Sequence, residues 1–213
     1  VGPPLAVRGD KARLRLRYGE TDAPVLYAVG DGNHSLATAK RDWEELRETL
    51  TPEERATHPA RFTLAELVDL HESAIEFEPI HRVLFQTDPA SFLKEAEAAF
   101  APWKGRGRPL HCLTSAGEIT LTVDGTIGEC IGFCESFMED YQARHGGTID
   151  FIHGAAEVAS LCREKDRAGL LMPEMHKSDL FPSIIRSGSL PKKSFSIGPA
   201  RDKRYYLECR RIK

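Results

Sequence analysis

The sequence predicts an α+β (mixed α/β) chain, a compact mixed sheet with flanking helices. Three observations carry this. Segments with apolar residues every third or fourth position are interspersed with short alternating or continuous apolar runs. The two kinds follow one another without the strict strand–helix alternation of a parallel α/β sheet. Hydrophobic residues make up 41% and charged residues 29% of 213 residues, a globular and not a disordered composition. That length can build a core without a metal or disulfide staple, and residues 1–213 are expected to form a single domain.

Residues 13–18 alternate basic and apolar side chains and read as an exposed or edge strand. Residues 25–29 are a short apolar run ending at Gly30 and read as a buried strand. Leu36, Ala39, Trp43, Leu46 and Leu50 make a helical stripe over 34–50. Thr51-Pro52-Glu53-Glu54 restarts a short helix, with Thr at the N-cap, Pro at the first position and Glu three residues after the cap. Residues 62–70 and 80–85 read as strands, and 89–100 as an Ala/Glu-rich helix. Ser115-Ala116-Gly117 joins strands 110–113 and 119–123 in a hairpin. Residues 130–144 read as a helix stopped by Gly146-Gly147. A strand over 149–152, a helix over 155–164, a strand over 170–172, a helix over 178–186 stopped by Gly188, and a final strand over 203–209 complete the chain.

The net charge is −3, which argues against a protein that coats nucleic acid or an anionic membrane. No run of eighteen apolar residues is present to span a bilayer. The first residues, Val1-Gly2-Pro3-Pro4-Leu5, lack a signal-peptide pattern and an initiator Met, so the chain is expected to be the C-terminal part of a longer protein. Five cysteines, Cys112, Cys130, Cys134, Cys162 and Cys209, form no paired framework and read as free thiols of a cytoplasmic protein. Packed thiols are favoured over a zinc site at Cys130 and Cys134, and no histidine shows metal-ligand spacing. Charge is unevenly placed: from residue 186 on, nine basic residues face only Asp202 and Glu208, a basic tail on an acidic body.

The chemistry is expected at Gly30-Asp31-Gly32-Asn33-His34-Ser35, where an apolar run meets two glycines and opens an amphipathic helix. Glycines let the backbone approach a ligand closely. The free N–H groups of a first helical turn form an anion site, most often for phosphate. Asp31 is the candidate general base or Mg²⁺ contact, and His34 and Ser35 can hydrogen-bond phosphate oxygens. The plain alternative is an ordinary turn with Asn33 as N-cap. His81 and Arg82 follow a proline at the start of a strand. Arg82 would bind phosphate or a substrate carboxylate, or else pair with Glu76 or Glu78. His153-Gly154 opens a helix after a strand, and Lys192, Lys193 and Ser194 pair two ammonium groups with a hydroxyl.

Gly30-Asp31-Gly32-Asn33-His34-Ser35-Leu36-Ala37-Thr38-Ala39-Lys40 resembles the signature of the family called domain of unknown function 1015. Phe77-Glu78-Pro79-Ile80-His81-Arg82, Phe151-Ile152-His153-Gly154, residues 190–198 and residues 202–208 also resemble family segments. The Asp-Gly-x-His loop is similar to that of the ParB/sulfiredoxin-like superfamily, in which the loop and helix start bind nucleotide phosphates. The resemblance implies phosphoryl transfer to free L-serine, giving O-phosphoserine, with Mg²⁺ and with ATP, ADP or pyrophosphate as donor. It implies catalytic roles for Asp31 and His34, phosphate contacts at Gly32, Asn33, Ser35, Lys192, Lys193 and Ser194, and substrate contacts at His81, Arg82 and His153. Relatives often carry Asp-Gly-His-His-Arg; here Ser35 stands in the place of that Arg, so the charge is expected from Lys192 or Lys193. The alternative is a nucleotide-binding regulatory or DNA-binding module of the same superfamily, although no helix-turn-helix is visible. A non-catalytic scaffold on which the basic tail docks is the third possibility.

Overall fold

The computed structural model describes residues 10–18, 27–30 and 32–198, and of Arg17 and Tyr18 only the backbone. The described residues form an α+β fold with seven α-helices and six strands. The strands are β1 (Phe77–Phe85), β2 (Arg108–Thr114), β3 (Gly117–Val123), β4 (Thr148–His153), β5 (Arg167–Leu171) and β6 (Phe195–Ile197). The helices are α1 (Lys11–Tyr18), α2 (Asn33–Leu46), α3 (Pro52–Thr57), α4 (Pro89–Phe100), α5 (Ile127–His145), α6 (Ala155–Leu161) and α7 (Lys177–Ser187).

The sheet runs β3-β2-β5-β1-β4, and β6 pairs with the start of β1. Every pairing is antiparallel. β1 is the longest strand and the organiser, since its Phe77–Pro79 half pairs with β6 and its Arg82–Phe85 half lies between β4 and β5. Successive residues of a strand point to opposite faces. Leu84 therefore enters the main core with α4 and α5, beside Phe92, Phe100, Ile131, Phe137 and Tyr141. Val83 enters a smaller cluster on the other face with Val158 and Cys162. Phe92, Phe100, Phe133, Phe137 and Tyr141 meet edge to face in the main core, the arrangement that aromatic quadrupoles prefer.

Local signals explain the helix ends. Thr51 with Glu54 and Thr126 with Glu129 close capping boxes before α3 and α5. Asp88 caps α4, and Pro89 occupies its first position. Gly188, at φ 80°, stops α7.

Three expectations fail. Residues 13–18 are helical, because the Asp10 side chain accepts from the Arg13 N–H at 3.0 Å and starts α1. Residues 62–69 form neither helix nor strand, since no neighbouring strand pairs with them; Leu64 is fully exposed. Residues 27–29, the described part of the expected buried strand, are likewise unpaired, and Tyr27 and Val29 are exposed. The strand expected over 203–209, Cys209 and the distal tail lie outside the described residues. Cys112, Cys130, Cys134 and Cys162 are free and buried, as packed thiols should be. Among the described residues no helix is long and apolar enough to cross a membrane.

Candidate functional site

Arg82 is the anchor of the site. It lies mid-sheet on β1 and is 1% exposed, so its charge has to be met inside the protein. Its guanidinium pairs with Glu135 of α5 and donates to the carbonyls of Ile80, Lys193 (3.1 Å) and Lys192 (3.4 Å). It also lies over the Phe151 ring of β4, 4.5 Å from the centroid. The partner is thus Glu135, not the Glu76 or Glu78 that chain proximity suggested. Sequence reasoning missed Glu135, yet a signal was present. With Ile131 and Met138 it sits at i, i+4 and i+7 on a buried helical stripe, a place where an unpaired carboxylate is rare.

The Lys192–Lys193 turn is therefore tied by its backbone to a buried cation. Lys193 adopts φ 53°, unusual for a residue other than glycine, and its ammonium sits 4.0 Å from the centre of the Phe151 ring. Ser194 is buried and donates its hydroxyl to the Pro191 carbonyl at 2.6 Å, bracing the turn from within. The Lys192 side chain is exposed.

β6 follows this turn and ends at Ile197. A Cβ placed on Gly30 would lie 3.3 Å from Ile197 Cδ1, so the backbone at Gly30 packs against the far end of β6. Extended chain rises about 3.3 Å per residue, which puts the lysine turn and the loop about 13 Å apart along the strand. Gly32, at φ 78° and without a side-chain cap, is the N-cap of α2; Asn33, expected there, is instead the first helical residue. Left-handed φ suits glycine at this position. Asn33, His34 and Ser35 are all exposed, leaving the first turn of α2 open to solvent. Asp31 lies outside the described residues.

His81 points away from Arg82 across the strand and is 4% exposed. Its Nδ1 accepts from the Met172 N–H at 3.1 Å, so the ring proton is on Nε2. Burial, then the neighbouring charges of Arg82 and His153, push its pKa down to about 4. His153 stands opposite Ile80 in the β1–β4 register; its Nδ1 is buried with no hydrogen-bond partner among the described residues. The described residues hold no group of three His, Cys, Asp or Glu able to bind a metal. Mg²⁺ in phosphoryl-transfer sites needs only one or two carboxylates beside the substrate phosphates, a requirement that Asp31 would meet by residue type.

The family model for a protein of unknown function, DUF1015, matches residues 15–187. The chain belongs to this family. The matched span includes the Gly30–Ser35 loop, His81, Arg82, Glu135 and His153, while Lys192, Lys193 and Ser194 lie beyond it. No curated protein and no solved structure matches the chain.

Proposed function

We propose that the chain transfers a phosphoryl group to a small hydroxyl substrate, free L-serine, giving O-phosphoserine. The loop and first turn of α2 act as a ParB/sulfiredoxin-like phosphate-binding element. The observation that carries this reading is the packing of Gly30 on Ile197, which joins the Gly-Asp-Gly loop to the strand whose other end bears the lysine turn. An open helix start and a pair of ammonium groups are the parts that phosphoryl transfer needs, because its catalysis is mostly positioning and charge neutralisation.

In the reaction, the serine Oγ attacks the terminal phosphorus of ATP, ADP or pyrophosphate. The Oγ–P bond forms, the bond to the leaving phosphate oxygen breaks, and the hydroxyl proton passes to Asp31. The N–H groups of Asn33, His34 and Ser35 hold donor oxygens, and His34 adds a side-chain contact. Lys192 and Lys193 offset donor charge. Arg82 contributes through the turn it holds, His153 lines the acceptor side, and His81, buried on the other face of β1, supports the strand through its Met172 contact. Bound Mg²⁺ would supply further neutralisation on the donor phosphates.

The test is incubation of the chain with L-serine, Mg²⁺ and each donor in turn, with O-phosphoserine read by mass spectrometry. Product is expected with at least one donor, and Asp31→Ala should abolish it with an unchanged circular dichroism spectrum. A folded chain that forms no product with any donor refutes the proposal.

A further inference from the structure

A cavity lies in the helical segment formed by α2, α3 and their flanking turns. Its volume is ≈ 390 Å³, within the range of small-molecule sites. Arg47, Arg55 and Arg61 line it together with a single carboxylate, Glu48, and the half-buried Trp43 indole forms a wall. Trp43 is held in place by stacking on His58, with ring centroids 6.0 Å apart.

The guanidiniums are incompletely satisfied. Arg55 Nε is buried and has no hydrogen-bond partner among the described residues. Arg55 also lines the cavity, and its guanidinium meets no acceptor or counter-charge among the described residues, so its other N–H groups are left for an acceptor from outside the protein. Arg61 uses one NH group on the Ala56 carbonyl at 3.0 Å, and Arg47 Nε meets Glu48 at 3.3 Å. The larger cavity near α5 and α7 differs: its Arg108 and Arg186 are matched by Asp179 and Glu129.

We propose that the Trp43 cavity is a binding site for a phosphomonoester, with the phosphate on Arg55 and Arg61 and the organic part against the Trp43 indole. The lining side chains carry a surplus of two positive charges. A phosphomonoester brings about −1.5 to −2 and three acceptor oxygens, which matches both that surplus and the fork geometry of guanidinium. A single carboxylate would leave charge and donors unmet. The site is separate from the proposed catalytic loop and does not depend on its activity.

Trp43 and Trp103 are the chain's two tryptophans, and Trp103 packs in the main core against Phe133. In a Trp103→Phe background the emission of Trp43 therefore reports this cavity. AMP and inorganic phosphate are the probes. AMP is expected to change the emission saturably, with phosphate binding more weakly because it lacks the organic part. Arg55→Gln and Arg61→Gln should each weaken AMP by about tenfold or more, the loss of a charge-assisted contact. Glu48→Gln should tighten it, an effect that damage to the fold cannot imitate. His34→Glu, which puts a negative charge on the turn proposed to hold the donor phosphate, should leave AMP binding intact, which separates this site from the catalytic loop. The proposal is overturned if neither probe gives a saturable change, or if both arginine variants bind AMP as well as the parent.

Discussion

Replacing Arg82 with Met keeps the length of the side chain and removes its charge and donors. Arg82 is 1% exposed and Glu135 21%. Removing one partner of a buried ion pair costs about 3–5 kcal/mol, because the other charge is stranded. Water can reach part of Glu135, which favours the lower end, about 3 kcal/mol. In a domain of this size each kcal/mol moves Tm by about 2–4 °C, so Arg82→Met should melt about 6–12 °C lower. The damage should be local as well as global. The Lys192 and Lys193 carbonyls lose their donor, and the positive φ of Lys193 loses the contacts that enforce it. Trypsin should then cut after Lys192 or Lys193 faster than in the parent at a temperature where both proteins are folded. Arg186→Gln is the control: its pair with Glu129 is largely solvent-exposed, at 70% and 42%, and should contribute below about 0.5 kcal/mol. If Arg82→Met melts within about 2 °C of the parent and is cut no faster at the turn, Arg82 does not clamp this loop.

The buried His81 makes stability depend on pH. Its pKa is depressed to about 4 in the folded protein and returns to about 6.5 on unfolding, so between these values the unfolded chain binds the extra proton. Stability should therefore fall as pH drops from about 6.5 to 4, by an amount on the order of 3 kcal/mol, and His81→Gln should flatten that part of the curve in urea titrations. A parent curve that is flat over this window would contradict the assignment. Burial raises the thiol pKa of Cys112 to about 12 and of Cys130 and Cys162 to about 11, and that of Cys134 higher still. In a Cys209→Ser chain at pH 8, a thiol-specific reagent should label none of the four quickly and all of them once urea unfolds the protein; rapid labelling of any one under native conditions would show that it is accessible.

The legible parts of the fold are those whose signals are local. Helices α3, α4, α5 and α7 and the β2–β3 hairpin could be read because caps, first-position proline, stop glycines and turn residues act within a few residues of the chain. Residues 13–18 misled because their two-residue alternation looks like a strand, whereas the cap that decides the matter, Asp10, precedes the pattern. Residues 62–69 misled for the opposite reason: apolar β-prone residues make a strand only where another strand offers hydrogen bonds. For the site, the Gly30–Ser35 loop, Arg82 and the Lys192–Ser194 turn were all visible as separate motifs. Their relation was not, since Arg82 reaches Glu135 across 53 residues and the Lys193 carbonyl across 111.

By itself, then, the sequence determined the α+β class, most helix boundaries, the buried free thiols and a glycine-rich loop opening α2. Each follows from periodicity, capping or composition, which act over a few residues. Only the tertiary structure decided the strand order around β1, the choice of Glu135 as the counter-charge of Arg82, and the packing of Gly30 on the end of β6. Those outcomes depend on which distant segments meet. A buried guanidinium must find its acceptors wherever the fold brings them, and spacing along the chain carries no record of that meeting.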